Sequence, residues 1–110
     1  MKPLFSSFRL RLSIVALLAG VASAHAAEPL RIGVPVGLSG ANSVVAPGVV
    51  QASQLAADEI NAAGGILGRQ IVLEIADDAS GAVGAQKAYD TLVFQKKVDA
   101  IIAMETSAAR

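Results

Sequence analysis

The chain contains no cysteine and no tryptophan, and its aromatic content is low, with one tyrosine and three phenylalanines in 110 residues. Without cysteine, neither a disulfide nor a thiolate metal site can form. The one histidine, His25, lies at the end of an N-terminal leader. Because nothing after the leader supplies an imidazole, Ser-His or Cys-His triads and histidine-based zinc sites are excluded. We therefore expect a protein that is not an enzyme and holds no cofactor.

The first residues have the pattern of a secretory signal peptide. Met1 to Arg11 carries three basic residues and no acid, and Leu12 to Val21 is an apolar run. Two A-x-A patterns follow, at 22–24 and 24–26, so cleavage after Ala24 or after Ala26 is possible. A transmembrane anchor needs roughly 20 apolar residues, more than this run supplies. We predict that residues 1–26 are a signal peptide and that the cleaved protein is exported and not anchored to a membrane.

The charge that remains after the leader argues against a nucleic-acid partner. Nine acidic and six basic residues follow position 26, a net charge of −3. Such a surface has no electrostatic attraction to phosphate backbones. Tyr89 and Phe94 are the only aromatic residues left. They are too few for a platform on which bases could stack.

Hydrophobic periodicity predicts three strands and two helices after the leader. We assign strands to Leu30–Val36, Arg69–Ala76 and Ala100–Ala103, and helices to Val49–Ala63 and Ala85–Lys97. The order βαβαβ predicts an α/β fold, with a parallel, partly doubly wound sheet and right-handed crossovers. With the strand order 2-1-3 the helices lie on opposite faces, and ligands bind beyond the carboxyl ends of the first and third strands.

The first predicted helix has a clear apolar stripe and a clear end. The pair Gly64-Gly65 should end it, because glycine adopts the left-handed conformation without strain at Cβ. Asn61 falls with the polar residues of the opposite face. The stripe, which we expect to face the sheet, consists of Ala52, Leu55, Ala56, Ile60 and Ala63.

Two motifs suggest chemistry that their spacing does not support. Gly33, Gly37 and Gly40 follow G-x-x-x-G-x-x-G, whereas a dinucleotide fingerprint is G-x-G-x-x-G running directly into a helix. Asp77-Asp78 could be a metal or acid/base pair, and these carboxylates are the only basis for an enzymatic hypothesis. Neighbouring residues of a strand point in opposite directions. We therefore favour a strand-end cap in which one carboxylate accepts loop amides and the other is solvated.

Small polar residues follow the first and third strands. They are the segment from Ser39 to Ser43 and the pair Thr106-Ser107. Hydroxyls and free backbone amides at such strand ends can hold the carboxylate of a zwitterion. The same residues also serve in ordinary turns, where they bond their own backbone. The residues alone leave both interpretations open.

Most of the chain from Leu30 to Ser107 resembles the branched-chain amino-acid (Leu/Ile/Val)-binding proteins. These are the extracytoplasmic substrate-binding components of ABC importers and have the periplasmic-binding-protein type I fold. The matching stretches are RIGVPVGLSGAN from Arg31, LAADEINAAGGILGRQIVLEIADDAS from Leu55 and AQKAYDTLVFQKKVDAIIAMETS from Ala85.

The resemblance implies that residues 27–110 are the first part of the N-terminal lobe of a leucine-binding-protein-like domain. It implies a periplasmic monomer that binds an amino acid, branched-chain or related, and delivers it to an ABC permease in the inner membrane. Ser39 and Gly40 match the family's SG, and Ser107, with Thr106, matches the loop that holds the ligand's main-chain groups. Two alternatives remain, a sensory or regulatory binding module of the same fold and a truncated remnant without function.

Overall fold

The computed structural model describes residues 27–104 of the chain. The predicted signal peptide and residues 105–110 lie outside this range, so the prediction of the signal peptide stays a prediction. Within the range, no helix is long and apolar enough to cross a membrane.

Three parallel strands form the described sheet. They are β1 (Leu30–Val36), β2 (Ile71–Asp77) and β3 (Ala100–Ile101), in the order β2-β1-β3. The predicted fold class and strand order are thus confirmed. The bounds of β1 agree with the prediction, β2 is shifted toward its carboxyl end, and β3 is two residues shorter than predicted. β1 is central and buried from Ile32 to Val36, as its apolar sequence predicts.

The helices begin earlier than their hydrophobic periodicity predicts. α1 spans Ala46–Ala62 and is preceded by a 3₁₀ turn at Ala41–Val44. The prediction that Pro47 belongs to a loop was wrong, because proline is favoured in the first helical turn, where its missing N–H leaves no bond unmade. α2 spans Ala82–Asp90 and continues into a π-helical turn at Thr91–Gln95.

The two helices cover opposite faces of the sheet, as predicted. On one face, Ala57 of α1 packs with Ile32 and Ile71 in the largest apolar cluster. On the other face, Leu92 is fully buried. Its side chain packs over Gly33, where an added Cβ would lie only 3.1 Å from Leu92 Cδ1.

The prediction of which α1 residues face the sheet was wrong by about one position. Ala46 and Ala57 are the buried residues of α1, whereas Leu55 is 60% exposed. Asn61, expected on the polar face, points at β2 instead. Its amide donates to the Ile71 carbonyl oxygen (2.9 Å), and its Oδ1 accepts from the Ile71 N–H (2.6 Å). These two bonds fix the rotation of α1 against the sheet.

α1 ends at the predicted double glycine. The N–H of Gly64 donates to the Asn61 carbonyl and that of Gly65 to the Ile60 carbonyl. This pair of bonds is a Schellman motif, which satisfies carbonyls that the helix end leaves free. The φ angle of Gly65 is +79°, and a Cβ there would overlap the Arg69 carbonyl oxygen. Only glycine fits this position without strain.

Arg69 joins the amino ends of the strands. Its guanidinium donates to the carbonyl oxygens of Glu28 (2.8 Å) and Pro29 (3.0 Å) and to the Asp99 carboxylate (3.2 Å). Asp99 in turn accepts from the Arg31 N–H at 2.9 Å. The segments entering β1 and β3 are therefore held together at the edge opposite the loops that matter for binding.

Candidate functional site

The carboxyl ends of the parallel strands meet at one edge of the sheet. β1 leads into the loop from Gly37 to Gly40, and β2 into the loop from Asp78 to Gly81. β3 is followed at the same edge by Ile102 to Met104. In open α/β sheets this edge is where ligands bind, at the point where the strand order reverses. We take these three segments and the first turn of α1 as the candidate site.

Ser39 is held by the carboxylate of Asp77. Its hydroxyl donates to Asp77 Oδ2 at 2.7 Å, and its backbone N–H donates to Oδ1 at 3.2 Å. Oδ1 also accepts from the Ala79 N–H at 2.8 Å. The Ser39 hydroxyl, followed by the Ala79 amide, stabilises the ionised form and lowers the pKa of Asp77 below its ordinary value. Asp77 is therefore an anion at neutral pH.

Ser80 ties the same two loops in the reverse direction. Its hydroxyl donates to the Ser39 carbonyl oxygen at 2.6 Å and accepts from the Asn42 N–H at 2.9 Å. Gly40 lies between these bonds with a φ of +79°, and a Cβ there would be 2.7 Å from the Ala79 carbonyl oxygen. The loop after β1 and the loop after β2 thus form one hydrogen-bonded unit.

The prediction for Asp77-Asp78 was half correct. Both carboxylates accept loop amides, since Asp78 Oδ1 accepts from the Ser80 N–H at 2.7 Å. Asp78 is not solvated, however, because it is only 2% exposed. Ala79 and Ser80 both have positive φ angles, a conformation that costs energy for residues with a Cβ. The two carboxylates hold their amides and compensate for that cost.

An apolar groove of about 510 Å³ opens between α1 and the ends of β1 and β3. The sequence reasoning missed it, although the valines before Pro47 and the apolar run after β3 were visible signals. Val45 is 54% exposed and Met104 is 60% exposed, so the groove is open to solvent. Its main lining residues are Val34, Val45, Val49, Ala52, Ile102 and Met104.

The structure places two of the four predicted site residues. Ser39 and Gly40 lie exposed at the carboxyl edge of the sheet. Thr106 and Ser107 lie outside the described residues, and their part in binding stays a prediction. Across the described range, no group of three His, Cys, Asp or Glu side chains is placed to hold a metal ion. The described site therefore offers hydroxyl and carboxylate oxygens beside an aliphatic groove.

A comparison with protein families matches residues 29–110 to the periplasmic binding protein model. The Leu/Ile/Val-binding protein BraC3 of Rhizobium johnstonii is 45% identical over 67 residues, which are 61% of this chain and 18% of that protein.

Solved structures of similar proteins share the fold. The branched-chain amino acid transporter substrate binding protein LivJ of Streptococcus pneumoniae, in complex with isoleucine, superposes with a TM-score of 0.68 and 38% identity. The match covers 74% of this chain and 23% of that one. An extracellular ligand-binding receptor of Verminephrobacter eiseniae has a TM-score of 0.66 and 29% identity over 74% of this chain and 22% of its own. The chain thus spans about a fifth of the length of these relatives.

Proposed function

The chain belongs to the periplasmic binding protein family, and on that premise we propose that it binds an amino acid outside the cytoplasm for uptake by an ABC importer. The role is capture and release, not catalysis. The ligand we propose is a branched-chain amino acid, because the relatives that match by sequence and by structure are named for leucine, isoleucine and valine or hold isoleucine.

One observation carries the proposal. The hydrogen-bonding loop at Ser39 and Gly40 and the aliphatic groove beside Val45 lie at the same edge of the sheet. An amino acid with a branched side chain has matching parts, a charged main-chain end and an aliphatic end. Burying such a side chain completely contributes about 1.5–3 kcal/mol.

The proposed contacts divide the ligand between polar and apolar groups. The aliphatic side chain lies in the groove between α1 and the ends of β1 and β3. Ser39 and Gly40 contact the main-chain groups, and Thr106 and Ser107 complete the polar side of the site. The ligand then passes to a permease in the inner membrane.

Export supports the same assignment. The proposed signal peptide over residues 1–26 would bring the chain to the periplasm, where an importer collects its substrate. We propose that the exported chain works as a monomer.

A sensory function is the second candidate. The neighbour from Verminephrobacter eiseniae is described as an extracellular ligand-binding receptor. The ligand chemistry is the same in both cases, and only the partner differs. Loss of amino-acid uptake on deletion of the gene supports transport, whereas normal uptake with an altered transcriptional response to the amino acid supports sensing.

Titration of the ¹⁵N-labelled chain with isoleucine, leucine and valine tests the binding directly. Because the described residues form one wall of a site, we expect a Kd of about 1 mM, equivalent to about −4 kcal/mol. Shifts should concentrate at the amides of Ser39, Gly40 and Val45. Glycine, which lacks a side chain, should bind at least about tenfold more weakly, a difference of about 1.4 kcal/mol.

A pair of matched variants locates the groove. Val45→Asp places a charge in the groove and should abolish binding of isoleucine. Val83→Asp makes the same change at a position of α2 that is 73% exposed and outside the groove, and should leave binding unchanged. Absence of any shift in the wild-type chain, or equal binding of glycine and isoleucine, would contradict the proposed function.

A further inference from the structure

The direction of the hydrogen bond between Ser39 and Asp77 is determined by chemistry. An ionised carboxylate has no proton and can only accept, so the Ser39 hydroxyl must donate its single hydrogen to Asp77 Oδ2 across 2.7 Å. The low pKa of Asp77 keeps the carboxylate ionised at neutral pH. The hydroxyl oxygen keeps its lone pairs, and because Ser39 is exposed they remain accessible to a ligand.

The second donor of Ser39 points to the same carboxylate. The backbone N–H donates to Asp77 Oδ1 at 3.2 Å, and the backbone carbonyl accepts from the Ser80 hydroxyl at 2.6 Å. Ser39 therefore has no hydrogen left to donate. A ligand that reaches this residue meets an acceptor oxygen with an anion directly behind it.

Such a position discriminates between the two ends of an amino acid. An ammonium group can donate to the Ser39 oxygen and is attracted by the nearby charge of Asp77. A carboxylate finds no donor there and is repelled by the same charge. None of the ion pairs between residues 27 and 104 involves Asp77, so no cation within the described part of the chain neutralises it.

We propose that Asp77 is a positioning residue that makes the Ser39 hydroxyl an obligate acceptor, so that this loop receives the ammonium end of an amino acid and excludes its carboxylate. The inference deepens the proposed function and rests on it. It also gives Asp77 a role in ligand orientation beyond capping the end of β2.

Three ligands of the same aliphatic shape separate the two ends. They are isoleucine, 2-methylbutylamine, which lacks the carboxylate, and 3-methylpentanoic acid, which lacks the amine. Each is titrated by NMR at constant ionic strength into the whole chain and its variants. Ser39→Ala should weaken binding of isoleucine and of the amine by about tenfold, the lower range for a hydrogen bond to a charged group. Binding of the acid should not change.

Asp77→Asn tests the positioning role. The amide keeps the size of the side chain but is neutral, and it can donate to the Ser39 oxygen, which frees the hydroxyl hydrogen. Affinity for the amine should fall and affinity for the acid should rise. Asp90→Asn, the same substitution at an exposed position of α2, is the matched control and should change neither. Far-UV circular dichroism confirms that each variant is folded.

The outcomes distinguish the inference from the proposed function. If Ser39→Ala weakens the acid more than the amine, or if Asp77→Asn weakens both ligands equally, the orientation is wrong although the chain still binds amino acids. If the wild-type chain binds none of the three ligands, the proposed function is wrong and the inference falls with it.

Discussion

Substitution of Asn61 by alanine tests whether two side-chain bonds set the position of α1 on the sheet. Asn61 accepts from the N–H and donates to the carbonyl of Ile71, the first residue of β2. A hydrogen bond of this kind contributes about 1 kcal/mol net, so the two together contribute about 2 kcal/mol. Ile71 is 7% exposed, and its unpaired backbone groups add a further penalty of about 1 kcal/mol.

The helix propensity of alanine offsets part of that loss. Alanine is better than asparagine in a helix by about 0.5 kcal/mol. We therefore expect Asn61→Ala to lower the free energy of unfolding by about 2–3 kcal/mol. Urea unfolding followed by circular dichroism measures it. Asn61→Asp, which keeps the acceptor for the Ile71 N–H and loses the donor, should fall between alanine and wild type.

A control on the same helix separates this effect from a general loss of polar side chains. Gln54 is exposed and donates to Asp58 one turn later, an interaction of about 0.3 kcal/mol. Gln54→Ala should therefore change stability by less than about 0.5 kcal/mol. If Asn61→Ala also stays within that range, the two bonds do not position α1, and the reasoning that assigns the helix rotation to them is refuted.

Three further predictions concern packing, backbone and charge. Leu92→Ala should lower the free energy of unfolding by about 2–5 kcal/mol, because it empties a fully buried position, and a urea midpoint that stays unchanged would contradict the packing. Gly65→Ala should cost at least about 2 kcal/mol, because it adds an overlap with the Arg69 carbonyl to the strain of a positive φ. Gly68→Ala, at a φ of +74° with open space around the added methyl, should cost about 1 kcal/mol, so equal melting temperatures for the two would be the unexpected result. The pKa of Asp77 is lowered in the folded chain, so its contribution to stability is fully present above the unfolded pKa and is lost as the pH falls through the folded pKa; the stability difference between wild type and Asp77→Asn should therefore vanish in acid, and a difference that grew there would contradict the assignment.

Local patterns predicted the elements of the fold well. The apolar run of β1 is bounded by Pro29 and Gly37, and its limits were predicted without error. The Gly64-Gly65 stop was also predicted correctly, because a left-handed helix end needs only the residues next to it. The start of α1 was missed, since Pro47 is compatible with a loop and with a first helical turn, and only the structure distinguishes them.

The candidate site was predicted less completely. Ser39 and Gly40 were singled out, but their partners in the second loop were not. The bond from the Ser39 hydroxyl to Asp77 joins residues 38 positions apart, and no local pattern reports on it. The burial of Asp78 likewise depends on how the two loops pack. The groove at Val45 needs α1 and β3 to be placed before it exists.

The sequence by itself determined the order βαβαβ, the limits of the central strand and the edge of the sheet at which polar loops gather. These features follow from the spacing of apolar residues, from glycine and proline, and from the geometry of parallel strands. Only the tertiary structure decided the rotation of α1, which Asn61 sets through Ile71, and the polarity of Ser39, which Asp77 sets. Both depend on hydrogen bonds between segments that folding brings together.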